Sequence, residues 1–152
     1  MLAPQKPGAV RRCLTSAPLE MACDQIAAEL LMPFEQLRKC DLHALSVDTL
    51  IALSHKFGVS IQAMAMRISK LKIPKPSIGF CRWEHGSAQE LWYVGKRLWL
   101  TPRPHFVAFE RAMESAATVR MKDDWDSQGQ TYPVLMEVRR LGKDFLIGLF
   151  WG

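Results

Sequence analysis

Apolar side chains recur at helical spacing early in the chain. Cys23, Ile26, Ala27, Leu30 and Leu31 fall at i, i+3, i+4, i+7 and i+8, and Glu20 extends the same face one turn earlier. The spacing predicts a helix running to about Met32, with this face and the Glu20 carboxylate toward a core. Ser16 stands as an N-cap before Pro18. Pro33, which has no N–H to lose in a first turn, can open a short second helix with Phe34 and Leu37 on its apolar side. Ser46 is placed to cap a third helix, Leu45 and Leu50 to staple it, and Gly58 to end it in a left-handed conformation. Ser60 then caps a fourth helix whose apolar positions are Ile61, Met64, Ala65, Ile68 and Leu71.

The pattern changes after Lys-Leu-Lys-Ile-Pro-Lys-Pro-Ser (70–77), where two prolines forbid a continuing helix. Segments 77–83, 91–100, 119–125, 132–140 and 145–151 are rich in aromatic and β-branched residues and read as strands. Phe106, Phe109, Met113 and Ala116 form the face of one helix over 104–117, and Leu141-Gly142-Lys143 reads as a hairpin turn. The expected fold class is α+β: a lead-in over 1–15, a helical portion over 16–73, and over 74–152 a small antiparallel sheet with one helix. The boundary falls near Pro74. By fold-level analogy the second part is GAF- or PAS-like, which would suit a ligand-sensing module.

The block Glu-Met-Ala-Cys-Asp-Gln-Ile-Ala-Ala-Glu-Leu-Leu-Met-Pro (20–33), with the later runs Phe57-Gly58-Val59-Ser60 and Arg67-Ile68-Ser69-Lys70-Leu71, resembles the ImmA/IrrE family of zinc metallo-endopeptidases. The resemblance covers roughly residues 18–72 and implies the helical C-terminal part of a zincin-like domain. It also implies that Glu20 matches the glutamate completing a zinc site begun by an upstream His-Glu-x-x-His helix. That spacing puts two imidazoles on one helical face beside a general base. In this chain the histidines are His43, His55, His85 and His105, each at least 12 residues from the next, so no i, i+4 pair exists. Glu20 is thus a metal ligand only if another segment supplies imidazoles. The chain is expected to be a truncated or degenerate family member, inactive alone and binding no zinc by itself. The resemblance implies a stress or transcription-regulatory context, with a transcriptional repressor or the missing N-terminal half as partner.

Composition narrows the alternatives. The chain has 152 residues, 49% hydrophobic and 23% charged, so a globular fold is expected. The longest apolar tract, 145–151, is far too short to span a bilayer, which favours a cytoplasmic protein without a membrane partner. Cys13, Cys23, Cys40 and Cys81 form no C-x-x-C pair and read as free, mostly buried thiols. A net charge of +5 permits nucleic-acid binding. Segment 50–71 has the outline of a helix-turn-helix with Gly58 in the turn, in which Lys56, Arg67, Lys70 and Lys72 would meet phosphates. The position of Arg67 is one where that motif usually buries an aliphatic residue. Met64 reads as core filling, with Met66 beside it, Trp83, Trp92, Trp99, Trp125 and Trp151 as packing residues, and Asp123, Asp124 and Asp126 as a solvated turn.

Overall fold

A computed structural model describes residues 17–42, 44–73, 76–94, 96–98, 107–127 and 129–151. The expected cap at Ser16, the boundary residue Pro74, Trp99, the 104–106 start of the late helix, and Cys13, His43 and His105 lie outside them. Helices α1 (Ala17–Leu31), α2 (Phe34–Leu37), α3 (Val47–Phe57) and α4 (Ile61–Ser69) precede strands β1 (Ser77–Glu84), β2 (Ser87–Tyr93) and β3 (Lys96–Leu98). Helix α5 (Val107–Glu114) follows, then β4 (Val119–Ser127), β5 (Gln130–Arg140) and β6 (Phe145–Trp151).

The caps form where the sequence places them. Ser46 accepts from the Thr49 N–H and Ser60 from the Ala63 N–H, each at 3.1 Å. Gly58 ends α3 at φ 64°, a left-handed conformation that costs glycine little. Leu45 and Leu50 are both buried, as a staple requires. Pro33 sits one residue before α2 rather than inside its first turn.

The six strands form one antiparallel sheet in the order β3-β2-β1-β6-β5-β4. Two three-stranded meanders therefore meet in the middle, where β1 pairs with β6 from Ser77↔Phe150 to Arg82↔Phe145. The expected strand over 91–100 is instead split between β2 and β3, and β2 begins earlier, at Ser87. The early start of β2 follows from a two-residue turn: His85 and Gly86 both have positive φ, 53° and 73°, matching the tight hairpin that joins Glu84 to Ser87. Asp123 and Asp124 belong to β4, not to a solvated turn, and Asp123 accepts a hydrogen bond from the Val107 N–H that opens α5.

Alternation along the strands gives the sheet two apolar faces. Ile78, Phe80, Ile147 and Leu149 join Leu37, Leu45, Val47, Leu50, Met64 and Ile68 in one buried cluster under α2–α4. On the opposite face Cys81, Leu91, Met136, Val138, Leu146 and Phe150 pack against Ala108, Phe109 and Ala112 of α5. Helices α1–α4 precede the expected boundary and the strands and α5 follow it, but the core runs across it. Phe150 lies over a cross-strand glycine pair, Gly79↔Gly148, and a Cβ at either site would come within 2.9 Å of its ring.

Helix α1 departs from expectation. Of the positions expected to face the core, Cys23, Ile26, Ala27, Leu30 and Leu31 are all exposed, as is Glu20. Leu30 retains 76% of its surface. Periodicity locates an apolar stripe but says nothing of what covers it. Burial at this end comes instead from Met32, just past the helix, and from Ala28, half-buried against the cluster. No described helix is long and apolar enough to cross a membrane.

Candidate functional site

Glu20 lies in the first turn of α1, exposed at the surface. His55 stands exposed in the last turn of α3 and His85 at the β1–β2 hairpin. Among the described residues, no three His, Cys, Asp or Glu side chains converge on a point where a metal could sit. Zinc needs three protein ligands around an open position. The described residues do not fit that requirement.

What the helical block does build is a clamp around Arg67. Its side chain is 5% exposed, on the face of α4 that turns inward beside Met64 and Ile68. Nε donates to the Met32 carbonyl at 2.9 Å, Nη2 pairs with the Glu29 carboxylate, and the guanidinium lies 3.4 Å above the Phe34 ring. One side chain thus ties the end of α1, the start of α2 and α4 together. The hydrogen bond from Arg67 holds the Glu29 carboxyl below its ordinary pKa against an opposing desolvation, assisted by the Phe34 N–H at 3.3 Å. Of the four residues expected to meet phosphates, Arg67 is buried in this clamp, whereas Lys56, Lys70 and Lys72 are exposed. The fourth helix buries an arginine where a helix-turn-helix would bury an aliphatic residue.

A second anchor joins the helical layer to the sheet. Glu137 of β5 is 6% exposed, and its carboxylate accepts from the Val47 N–H at 2.6 Å, at the positive end of α3. One residue later on α3, Asp48 pairs with Arg139 of β5 and accepts from the Thr118 hydroxyl at 3.4 Å. Spacing could not have found this contact, since Val47 and Glu137 are 90 residues apart. The only available hint was Glu137 itself, a charge inside a strand otherwise apolar from Val134 to Val138.

The space between α5 and the sheet, where a sensor ligand would be expected, is filled. Phe109 is 1% exposed and meets Phe150 edge-on at 6.4 Å, and Tyr93 meets Phe150 at 5.5 Å. Trp83, Trp92 and Trp151 pack as expected: Trp92 stacks on Phe80 at 6.1 Å, and Trp83 and Trp151 lie against the two clusters, while the Trp125 side chain is outside what the structure describes. The thiols differ from expectation, since Cys81 is buried, Cys40 half-buried and Cys23 exposed, although all three are free. Met64 is fully buried, whereas Met66 is 42% exposed and lines a groove between α1 and α4.

No curated protein and no solved structure matches the chain. Residues 13–69 do match a family model, the IrrE N-terminal-like domain of the zinc metallopeptidase family Peptidase_M78. That interval takes in α1 to α4, with Glu20, the Arg67 clamp and the Gly58 turn. Over that interval the helical block of this chain is therefore similar to part of the IrrE N-terminal-like domain.

Proposed function

We propose that this chain is a degenerate ImmA/IrrE-like protein that does not hydrolyse peptides by itself and acts through protein contacts in a stress or transcription-regulatory setting. The observation that carries the reading is the ligand set: Glu20 is an exposed carboxylate, and the four histidines are too widely spaced for two of them to share a helix face. A metal-bound water needs imidazoles that these residues do not supply. On this reading the partner is a transcriptional repressor, or a polypeptide carrying the His-Glu-x-x-His helix. The GAF- or PAS-like part then serves as a folded platform, since Phe109 and Phe150 occupy the interior where a ligand would sit.

The test is metal analysis and protease assay of the purified chain. The expected result is substoichiometric zinc and no cleavage. Stoichiometric zinc, with hydrolysis that disappears in Glu20→Ala, overturns the reading. Duplex binding through Lys56, Lys70 and Lys72 is the weaker reading because α4 turns Arg67 inward.

A further inference from the structure

The two ends of the sheet are finished differently. Strand β3 closes one end with only three residues, Lys96–Leu98. At the other end β4 runs for nine, Val119–Ser127, paired with β5 along its whole length without a shift of register, and no described strand lies on its outer side. Nine extended residues make an edge about 30 Å long. An open edge of that length presents unpaired N–H and C=O groups to any other strand.

Two observations identify the residues that carry those groups. The Leu141 N–H donates to the Phe145 carbonyl in continuation of the β5–β6 register, so odd-numbered residues of β5 turn their backbone toward β6 and even-numbered ones toward β4. Pro133, which has no N–H to give, is accordingly one of the residues turned away from β4. Opposite the odd positions of β5 stand Arg120, Lys122, Asp124 and Asp126, and theirs are the backbone groups that point off the sheet. Arg120, Lys122 and Asp124 are exposed, whereas Val119, Met121 and Asp123 are half-buried.

Along this outward row the signs run plus, plus, minus, minus. An antiparallel copy centred on Asp123 therefore sets Lys122 opposite Asp124 and Arg120 opposite Asp126, and the two-fold axis makes each pair twice. Slipping by two residues sets either Lys122 or Asp124 against its own copy, and slipping by one sets outward backbone groups against inward ones. Charge thus selects both the partner and the register. A lysine on an edge ordinarily discourages pairing, but a second copy brings the aspartate that neutralises it. We propose that β4 pairs antiparallel with β4 of a second copy, joining two six-stranded sheets into one across a two-fold axis. Main-chain hydrogen bonds supply the affinity and the charged pairs the specificity. Asp123 facing its own copy is the one unfavourable pair, eased because its carboxylate accepts from the Val107 N–H.

This goes beyond the proposed loss of hydrolysis and does not depend on it, since β4 lies outside the family-like segment 13–69. Sedimentation equilibrium of the full chain should show monomer and dimer in exchange. Lys122→Asp and Asp124→Lys, both at exposed positions, should each weaken the dimer about tenfold or more while thermal melting stays unchanged. Mixing the two variants should restore association, because each then meets opposite charge in the other. Asp123→Asn keeps an acceptor for Val107 and removes the central repulsion, so it should tighten the dimer about threefold. Leu30→Ser on α1 should leave association unchanged. A chain that stays monomeric, a dimer indifferent to the charge reversals, or variants that do not associate when mixed overturns the proposal. So does a dimer lost in Leu30→Ser, which assigns association to α1, or one that Asp123→Asn fails to tighten, which centres the pairing elsewhere.

Discussion

Replacing Arg67 with alanine removes three contacts at once, and their sum follows from the geometry. The bond from Nε to the buried Met32 carbonyl is 2.9 Å and its donor is charged, a class contributing about 1.5–3 kcal/mol. The guanidinium 3.4 Å above the half-buried Phe34 ring adds about 1–2 kcal/mol. The Glu29 carboxylate lies in solvent, so that pairing contributes chiefly orientation. Contacts sharing one group do not add fully, which places the loss at about 3–4 kcal/mol, or a fall in Tm of roughly 6–16 °C for a chain of this size. Urea unfolding followed by circular dichroism measures it. Arg67→Lys keeps the charge but not the fork that reaches Met32 and Glu29 together, so it should lose most of the same stability. Lys70→Ala, at an exposed position in the turn after α4, should stay within about 0.5 kcal/mol. A loss below about 1 kcal/mol in Arg67→Ala would refute the clamp, and unchanged stability with weakened duplex binding would return Arg67 to the phosphate-contacting role.

Glu137→Ala leaves the Val47 N–H without its buried acceptor and should cost about 2–3 kcal/mol by urea titration, far more than removal of an exposed acid such as Glu35. Gly148→Ala drives a methyl group to 2.8 Å from the Phe150 ring, itself wedged between Tyr93 and Phe109, and should destabilise by about 1–3 kcal/mol in the same assay. Burial pushes the Cys81 thiol up to about 12, so at pH 8 a thiol reagent should label exposed Cys23 quickly and Cys81 only on unfolding. Burial likewise raises Tyr93. Both groups hold their protons in the folded state after the unfolded chain has released them, so stability should be full below about pH 9 and fall from there toward pH 12. An alkaline Tm profile that stays flat over that range would contradict the burial of both side chains.

The helix boundaries were legible where a local chemical device writes them. Ser46, Gly58 and Ser60 act on backbone groups within a few residues, and all three cap as their positions imply. The His85-Gly86 hairpin was equally local and was missed because His-Gly is not one of the usual Asn-Gly or Asp-Gly hairpin signals, although histidine is among the non-glycine residues that adopt positive φ more readily. Outward and inward faces were legible for α4, whose stripe joins the cluster beneath the helices, and misleading for α1, whose stripe stays exposed. The same limit governs the candidate site. The family likeness lay in residues 20–33 and 57–71, but Arg67 to Met32 and Glu137 to Val47 are joins across 35 and 90 residues. No periodicity encodes such pairs, because each depends on how whole layers stack.

The central pairing of β1 with β6 carries a consequence for biosynthesis. Ile147 and Leu149 complete the cluster beneath α2–α4, so the family-like helices cannot bury their apolar surfaces until the last strand has left the ribosome. A nascent chain halted after Ser69 would expose Leu50, Met64 and Ile68 to chaperones and proteases, and a separately expressed 17–73 fragment should show no cooperative melting.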